Sequence, residues 1–219
     1  MDISKKMIPC DCQNKACKEF ATCCFTATEV VIKDGSGAAG GGDYGNIHLM
    51  FVGQGAGRDE DINMNPGNLK RQPFVGKAGA YLRNIIKFLW DGGLIFNVAI
   101  SNSVRFHPLD EVRKDRAPTQ GELDDCIHLL NRDIDLVKPK AIVALGMSTS
   151  NALIPETAGA VMGKIAGLSY LYKGIKTVPL YHPSFLTRNY GKFIADQRGS
   201  YHVRCVEVLK SLAKDTLSA

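Results

Sequence analysis

Three short stretches of the chain hold side chains that could do chemistry. Gly53-Gln54-Gly55-Ala56-Gly57-Arg58-Asp59-Glu60-Asp61 sets three glycines beside an acidic trio. Glycines let backbone N–H groups approach a flat ligand or an anion closely, and carboxylates orient water. Ser101-Asn102 supplies an amide with one acceptor and two donors, which suits a pyrimidine's hydrogen-bonding edge. Tyr181-His182-Pro183-Ser184-Phe185-Leu186 locks a histidine before a proline, where it can donate to a developing oxyanion. Taken singly, each has a plainer reading: a surface loop, an Asn capping a strand end, a bystander His. The cysteines form a fourth group. Cys10, Cys12, Cys17, Cys23 and Cys24, five of the seven, fall in the first 24 residues. In a cytosolic chain this grouping reads as metal or cluster ligation sooner than as disulfides. None of the spacings is C-x-x-C, so free thiols near a terminus are the alternative.

The elements that must position these residues follow from hydrophobic patterning. Residues 47–52, 95–102, 141–145 and 177–181 read as strands. Residues 77–91 carry Leu82, Ile85, Ile86 and Leu89 at helical spacing and stop at Gly92-Gly93. Thr119-Gln120-Gly121-Glu122 is a capping box, opening a helix with Leu123, Ile127, Leu130, Ile134 and Val137 on one face. Gly146 begins a turn into a short helix, and a last amphipathic helix covers roughly residues 191–212. Strand–helix alternation predicts an α/β fold with a mainly parallel sheet and helices on both faces. Ligands in such sheets bind beyond the carboxyl ends of the strands, which selects the segments starting at Gly53, Asn102, Gly146 and His182. The glycine-rich stretch 35–45 has no strand leading in and no helix following, so it reads as a loop rather than a dinucleotide fingerprint. It divides a Cys-rich N-terminal arm, 1–45, from a main domain, 46–219.

Composition sets the outer limits. The chain has 219 residues, 45% hydrophobic and 22% charged, which fits one soluble globular domain and excludes collagen-like or disordered classes. The apolar runs are far shorter than the roughly 20 residues of a membrane span, so no membrane association is expected. The N-terminal MDISKKMIPCDC has two lysines but no apolar h-region, so no signal peptide is expected and the cytoplasm is the default compartment. A net charge of +5 permits nucleic-acid binding without establishing it. A monomer is expected.

Read together, the motifs resemble those of the family 4, iron–sulfur branch of the uracil-DNA glycosylase superfamily. The shared order is GQGAGRDED at 53–61, Pro73-Phe74-Val75-Gly76-Lys77-Ala78-Gly79, Ser101-Asn102, Pro118-Thr119-Gln120-Gly121-Glu122 ending at Cys126, Leu145-Gly146, and Tyr181-His182-Pro183-Ser184. The likeness covers about residues 46–210. It implies a three-layer α/β/α sandwich around a four-stranded, mainly parallel sheet. It implies an enzyme that flips a uracil out of single- or double-stranded DNA and hydrolyses its N-glycosidic bond. Phe74 would stack on the base, Asn102 would read its edge, and Gly55 and Gln54 would line the first-motif side. Glu60 would help position the attacking water, and His182 would hydrogen-bond the O2 that becomes negative. Leu186 would be the wedge filling the vacated stack or else a core leucine, with Ser184 and Arg188 on flanking phosphates.

The chain also departs from that pattern. The family's third cluster ligand is replaced by Phe106, and the fourth survives as Cys126. A [4Fe–4S] cluster would need three thiolates from the N-terminal group (Cys10, Cys12, Cys17, Cys23, Cys24) with Cys126, or His107 standing in. The first motif carries Gln54 for a Glu and Ala56 for a Pro, and an insertion of about seven residues lengthens the loop before Phe74. Small residues there are expected to widen the pocket wall near the base's C5 and to admit 5-substituted uracils. Covalently trapping relatives carry a His where this chain has Asp115, so covalent capture is not expected. Two other readings compete: a catalytically weakened member that binds DNA or a modified pyrimidine, and an enzyme of thymine hypermodification in viral DNA.

Overall fold

The computed structural model of the protein describes residues 4–13, 15, 23–33, 44–193 and 201–218. Cys17, most of the glycine-rich stretch and residues 194–200 lie outside them. One sheet organises the chain. Its strands are β1 (Ser4–Ile8), β2 (Thr28–Ile32), β3 (Ile47–Gly53), β4 (Asn97–Asn102), β5 (Ala141–Leu145), β6 (Tyr170–Tyr172) and β7 (Ile175–Leu180), in the order β1-β2-β4-β3-β5-β7-β6. The four strands expected from the sequence are its centre, β4-β3-β5-β7, and all four run parallel. The sheet is nonetheless seven-stranded, not four-stranded. β1 and β2 add antiparallel to one edge, and β6 folds back on β7 at the other. The segment read as an N-terminal arm therefore contributes two strands to the sheet.

Helices cover both faces, as a three-layer sandwich requires. The helices are α1 (Lys77–Asp91), α2 (Gln120–Val137), α3 (Met147–Leu153), α4 (Met162–Ile165), α5 (Pro183–Phe193) and α6 (Tyr201–Ser218). Successive strand residues point to opposite faces. Leu49 and Phe51 join Leu82, Ile85, Ile86 and Leu89 of α1 and Leu209 and Leu212 of α6 in one core. Met50 and Val52 join Leu130, Ile134 and Val137 of α2 and Leu153 of α3 in the other. Burying both faces of the central strands is why their sequences are nearly continuous apolar runs. α2 begins with the expected capping box, in which the Thr119 hydroxyl accepts from Glu122 N–H and the Glu122 carboxylate accepts from Thr119 N–H. No described helix is long and apolar enough to cross a membrane.

A buried ion pair ties the added strands to this frame. Arg105 and Asp133, each 1% exposed at the side chain, meet at 2.6 Å. Arg105 also donates to Thr28 Oγ1 on β2 and Ser101 Oγ on β4, while Thr28 donates to Asp133. On the opposite face, fully buried Glu29 of β2 accepts from Arg83 of α1 and from Gln72.

Candidate active site

Because β3, β4, β5 and β7 are parallel, their carboxyl ends lie on one rim, and the segments leaving β3, β4 and β7 line a cavity of about 420 Å³. Its lining includes Gln54, Gly55, Asp59, Glu60, Phe74, Asn102, His182, Ser184 and Arg188. This volume falls in the range of small-molecule pockets, roughly 300–1,000 Å³.

Phe74 is held by its own backbone. It adopts a left-handed conformation (φ 55°), and Arg83 of α1 reaches back to donate to the carbonyls of Pro73 and Phe74. The first turn of α1 presses against it so closely that a Cβ on Gly79 would fall 1.7 Å from the Phe74 carbonyl oxygen. Gly79→Ala should therefore push Phe74 out of place and cost about 1–3 kcal/mol, the usual range for overpacking. A shift in the urea unfolding midpoint checks this, and an unchanged midpoint would show that the turn has slack.

Gly53, the last residue of β3, backs the site in the same way. A Cβ there would lie 2.5 Å from both Asn102 Oδ1 and the edge of the Phe74 ring. Asn102 is 1% exposed, and its Oδ1 has no hydrogen-bond partner among the described residues. A buried polar atom without a partner is destabilising unless a ligand satisfies it.

His182 completes the arrangement, with its ring centroid 5.9 Å from that of Phe74. Its Nδ1 accepts from the Ser184 backbone N–H (3.2 Å) and lies 2.8 Å from the Ser184 hydroxyl. An Nδ1 acting as acceptor puts the neutral ring's proton on Nε2. Burial pushes the imidazole down to about 4, helped by the Arg188 guanidinium, so the ring is neutral near pH 7. Gly146 packs behind it, where a Cβ would sit 3.2 Å from His182 Cβ.

Not every expected residue stands as the motifs suggested. Glu60, expected to orient water, is 8% exposed and braces the loops instead. Its Oε2 accepts from Gly57 N–H, and its Oε1 accepts from Val75 and Gly76 N–H. Leu186, expected as the wedge, is 5% exposed and belongs to the core, because α5 starts at Pro183 and turns Leu186 inward in its first turn. Ser184 is engaged with His182, while Arg188 is exposed on the cavity rim. The slack expected around Gly55 is absent. A Cβ there would meet Val104 at 2.7 Å and Pro108 at 3.1 Å, so the turn is packed against the segment after β4. Gln54 lines the cavity and its carbonyl accepts from Val104 N–H.

The cavity is also lined by a stretch not expected to form a wall: His107, Pro108, Asp115, Arg116 and Ala117. His107 is set between two carboxylates, Asp61 at Nδ1 (3.2 Å) and Asp115 at Nε2 (2.9 Å), and Arg116 is clamped by both oxygens of Glu122. The sequence singles out His107 and Asp115 for other reasons and Glu122 as a capping residue, and the role of Glu122 as the Arg116 partner has no periodicity to reveal it.

A family model described as the uracil DNA glycosylase superfamily matches residues 39–210. The chain belongs to that superfamily. A Type-4 uracil-DNA glycosylase of Thermotoga maritima is 33% identical over 150 residues, covering 66% of this chain and 70% of the relative. That of Sulfurisphaera tokodaii is 32% identical over 153 residues, 67% of this chain and 64%, just under two thirds, of the relative. A Type-5 uracil-DNA glycosylase of Pyrobaculum aerophilum is more distant, at 28% over 167 residues. β1 and β2 lie outside the superfamily match, whereas the four parallel strands and every cavity residue named above lie within it.

For the cluster implied by the family 4 resemblance the described residues give no complete ligand set, and Cys17, one of its candidate ligands, lies outside them. Phe106, at the third ligand position, is 2% exposed and packs with Val104, Leu123 and Cys126 in an apolar group against Cys23. Among the described residues no three His, Cys, Asp or Glu side chains form a group that could hold a metal ion. Cys10, Cys12 and Cys23 are half-buried, and burial pushes the Cys10 and Cys23 thiols up, with Cys10 and Cys126 adding to the shift at Cys23.

Proposed function

We propose that this chain is a DNA glycosylase that hydrolyses the N-glycosidic bond of uracil. The observation that carries this reading is the unpartnered Oδ1 of buried Asn102, set against the Phe74 ring in the cavity that also holds His182. A base inside a duplex is out of reach, so it is extruded into the pocket at a cost of a few kcal/mol, which stacking and hydrogen bonding offset. Phe74 stacks on the flipped ring. Asn102 Oδ1 accepts from uracil N3–H while its amide N–H donates to O4. As the C1′–N1 bond breaks, its electron pair leaves with the base, and charge collects on O2. The Nε2–H of neutral His182 donates to that oxygen, and Ser184 acts as a positioning residue by fixing the tautomer. Arg188 meets a flanking backbone phosphate.

This assignment supports uracil more than a 5-substituted uracil, since the first-motif turn is packed at Gly55 rather than widened. Oligonucleotides carrying one uracil, 5-hydroxymethyluracil or thymine, incubated with the protein and treated with alkali, test it. Strand cleavage at uracil is expected, with thymine untouched. A strand that is bound but never cleaved at any of the three bases would favour a binding-only member instead.

Asn102 gives a sharper check of base reading. Asn102→Asp keeps an acceptor but supplies no donor to O4, and a site built to hydrogen-bond a group rejects a mismatched partner strongly. Uracil excision should fall at least about 10²-fold in single-turnover assays. Unchanged discrimination between uracil and cytosine would remove Asn102 from the pocket.

A further inference from the structure

The proposed reaction needs a group that takes a proton from water as its oxygen closes on C1′, and the positions expected to help with that water are compromised. Gln54 is an amide and cannot take a proton. Glu60 spends both oxygens on the backbone N–H groups of Gly57, Val75 and Gly76. His182 uses Nδ1 as an acceptor from Ser184 and presents only Nε2–H. His107 has both ring nitrogens occupied by Asp61 and Asp115, which also engages one Asp115 oxygen.

One carboxylate of the cavity lining keeps both oxygens free of described partners. We propose that Asp59 is the catalytic base of the hydrolysis, a role that rests on the uracil-excision reading above. Asp59 lines the same cavity as Phe74, Asn102 and His182, and its carboxylate makes no hydrogen bond or ion pair with any described residue. It is nonetheless placed. The Asp59 carbonyl accepts from Asn65 Nδ2 (2.8 Å), so the inserted loop fixes its backbone. Its carboxylate lies over Gly76, the N-cap of α1 and two residues from Phe74, where a Cβ would fall 2.3 Å from Oδ2. A helix N-terminus carrying no side-chain cap favours a negative charge beside it.

The step balances without any other reactant. The water oxygen bonds to C1′ and its proton passes to an Asp59 oxygen. The C1′–N1 bond breaks and its electron pair leaves with uracil, whose O2 is held by His182. The proton on Asp59 then returns to the uracil anion or to solvent. The loop before Phe74 thus gains a purpose: its Asn65 steadies the backbone of the residue that takes the proton.

The test is single-turnover excision of uracil alongside binding to the same strand carrying an uncleavable 2′-fluoro uracil nucleotide. Asp59→Asn should lower the rate about 10²-fold or more, in the usual range for a general base, with the dissociation constant unchanged. Asp59→Glu should recover part of the rate. Gly76→Ala gives an independent arm, because the new methyl meets the Asp59 carboxylate first. It should slow the wild-type reaction yet cost nothing further in the Asp59→Asn background, the coupling expected of groups acting as a unit. Asp59→Asn excising within about threefold of the wild-type rate would overturn the proposal, as would a larger loss for Asp115→Asn than for Asp59→Asn. A wild-type protein that binds but excises no uracil would remove the underlying reading as well.

Discussion

Replacing His182 by alanine should slow uracil excision by about 10²–10³-fold, the cost of losing one donor aimed at a developing anion. The expectation rests on what the ring is prepared to do before any substrate arrives. Its Nδ1 accepts from Ser184 N–H, so Nε2 carries the proton. Burial, with Arg188 beside it, depresses the ring to about 4. The sign of the shift matters: the folded state binds the neutral form, so His182 stays a neutral donor from neutral pH down to about 4. The wild-type rate should accordingly show no histidine inflection between about pH 5 and 8, where an unperturbed imidazole would titrate. His182→Ala should leave binding of uncleavable DNA within a few-fold, since the donor acts mainly on charge that appears in the transition state. Full single-turnover activity in that variant would mean that another group carries the O2 charge.

Asp133→Ala should be the most damaging change to stability, at about 3–5 kcal/mol. Arg105 is 1% exposed, and its guanidinium cannot give up its charge. Removing Asp133 leaves that cation buried among Thr28 and Ser101, whose hydroxyls cannot neutralise it. Arg105 Nε already lacks a partner among the described residues, so the network has no spare acceptor. Arg132, which donates to the other Asp133 oxygen, would lose that partner and keep Asp11 and the Pro9 carbonyl. Guanidinium unfolding of the two proteins reads the loss directly. A difference below about 1 kcal/mol would show that water reaches Arg105 once Asp133 is gone, as at a surface pair.

The sequence and the structure agree where burial leaves a periodic trace. β3, β4, β5 and β7 are buried on both faces, so their runs of apolar residues were visible, and α1 and α2 carried clear stops and caps. The edge strands carried no such trace. β2 reads TEVVI, and its one charge, Glu29, is matched by Arg83 and Gln72, more than 40 residues away, and by Lys5 of β1. β6 and β7 form a hairpin whose turn is Lys173-Gly174, both at positive φ (51° and 78°). Primed turns usually announce themselves with Asn or Asp before the Gly, and a Lys there hides one. Strand ends and motif order set Phe74, Asn102 and His182 at one rim, and the structure brings them into one cavity. The surroundings of Glu60 and Leu186 come from tertiary facts that no pattern carries: three backbone N–H groups that converge on one carboxylate, and a helix that starts at Pro183. The wall from His107 to Ala117 depends on hydrogen bonds between side chains of no periodic spacing, and no one-dimensional pattern encodes those.

The central claim is that this cavity cuts the bond between uracil and deoxyribose and leaves the strand whole. Mass spectrometry of both fractions after incubation with a single-uracil oligonucleotide measures that directly. Free uracil, together with an unbroken strand lighter by one base and bearing an abasic site, is the predicted result. An intact uracil-containing strand recovered from a protein that demonstrably binds it would contradict the account.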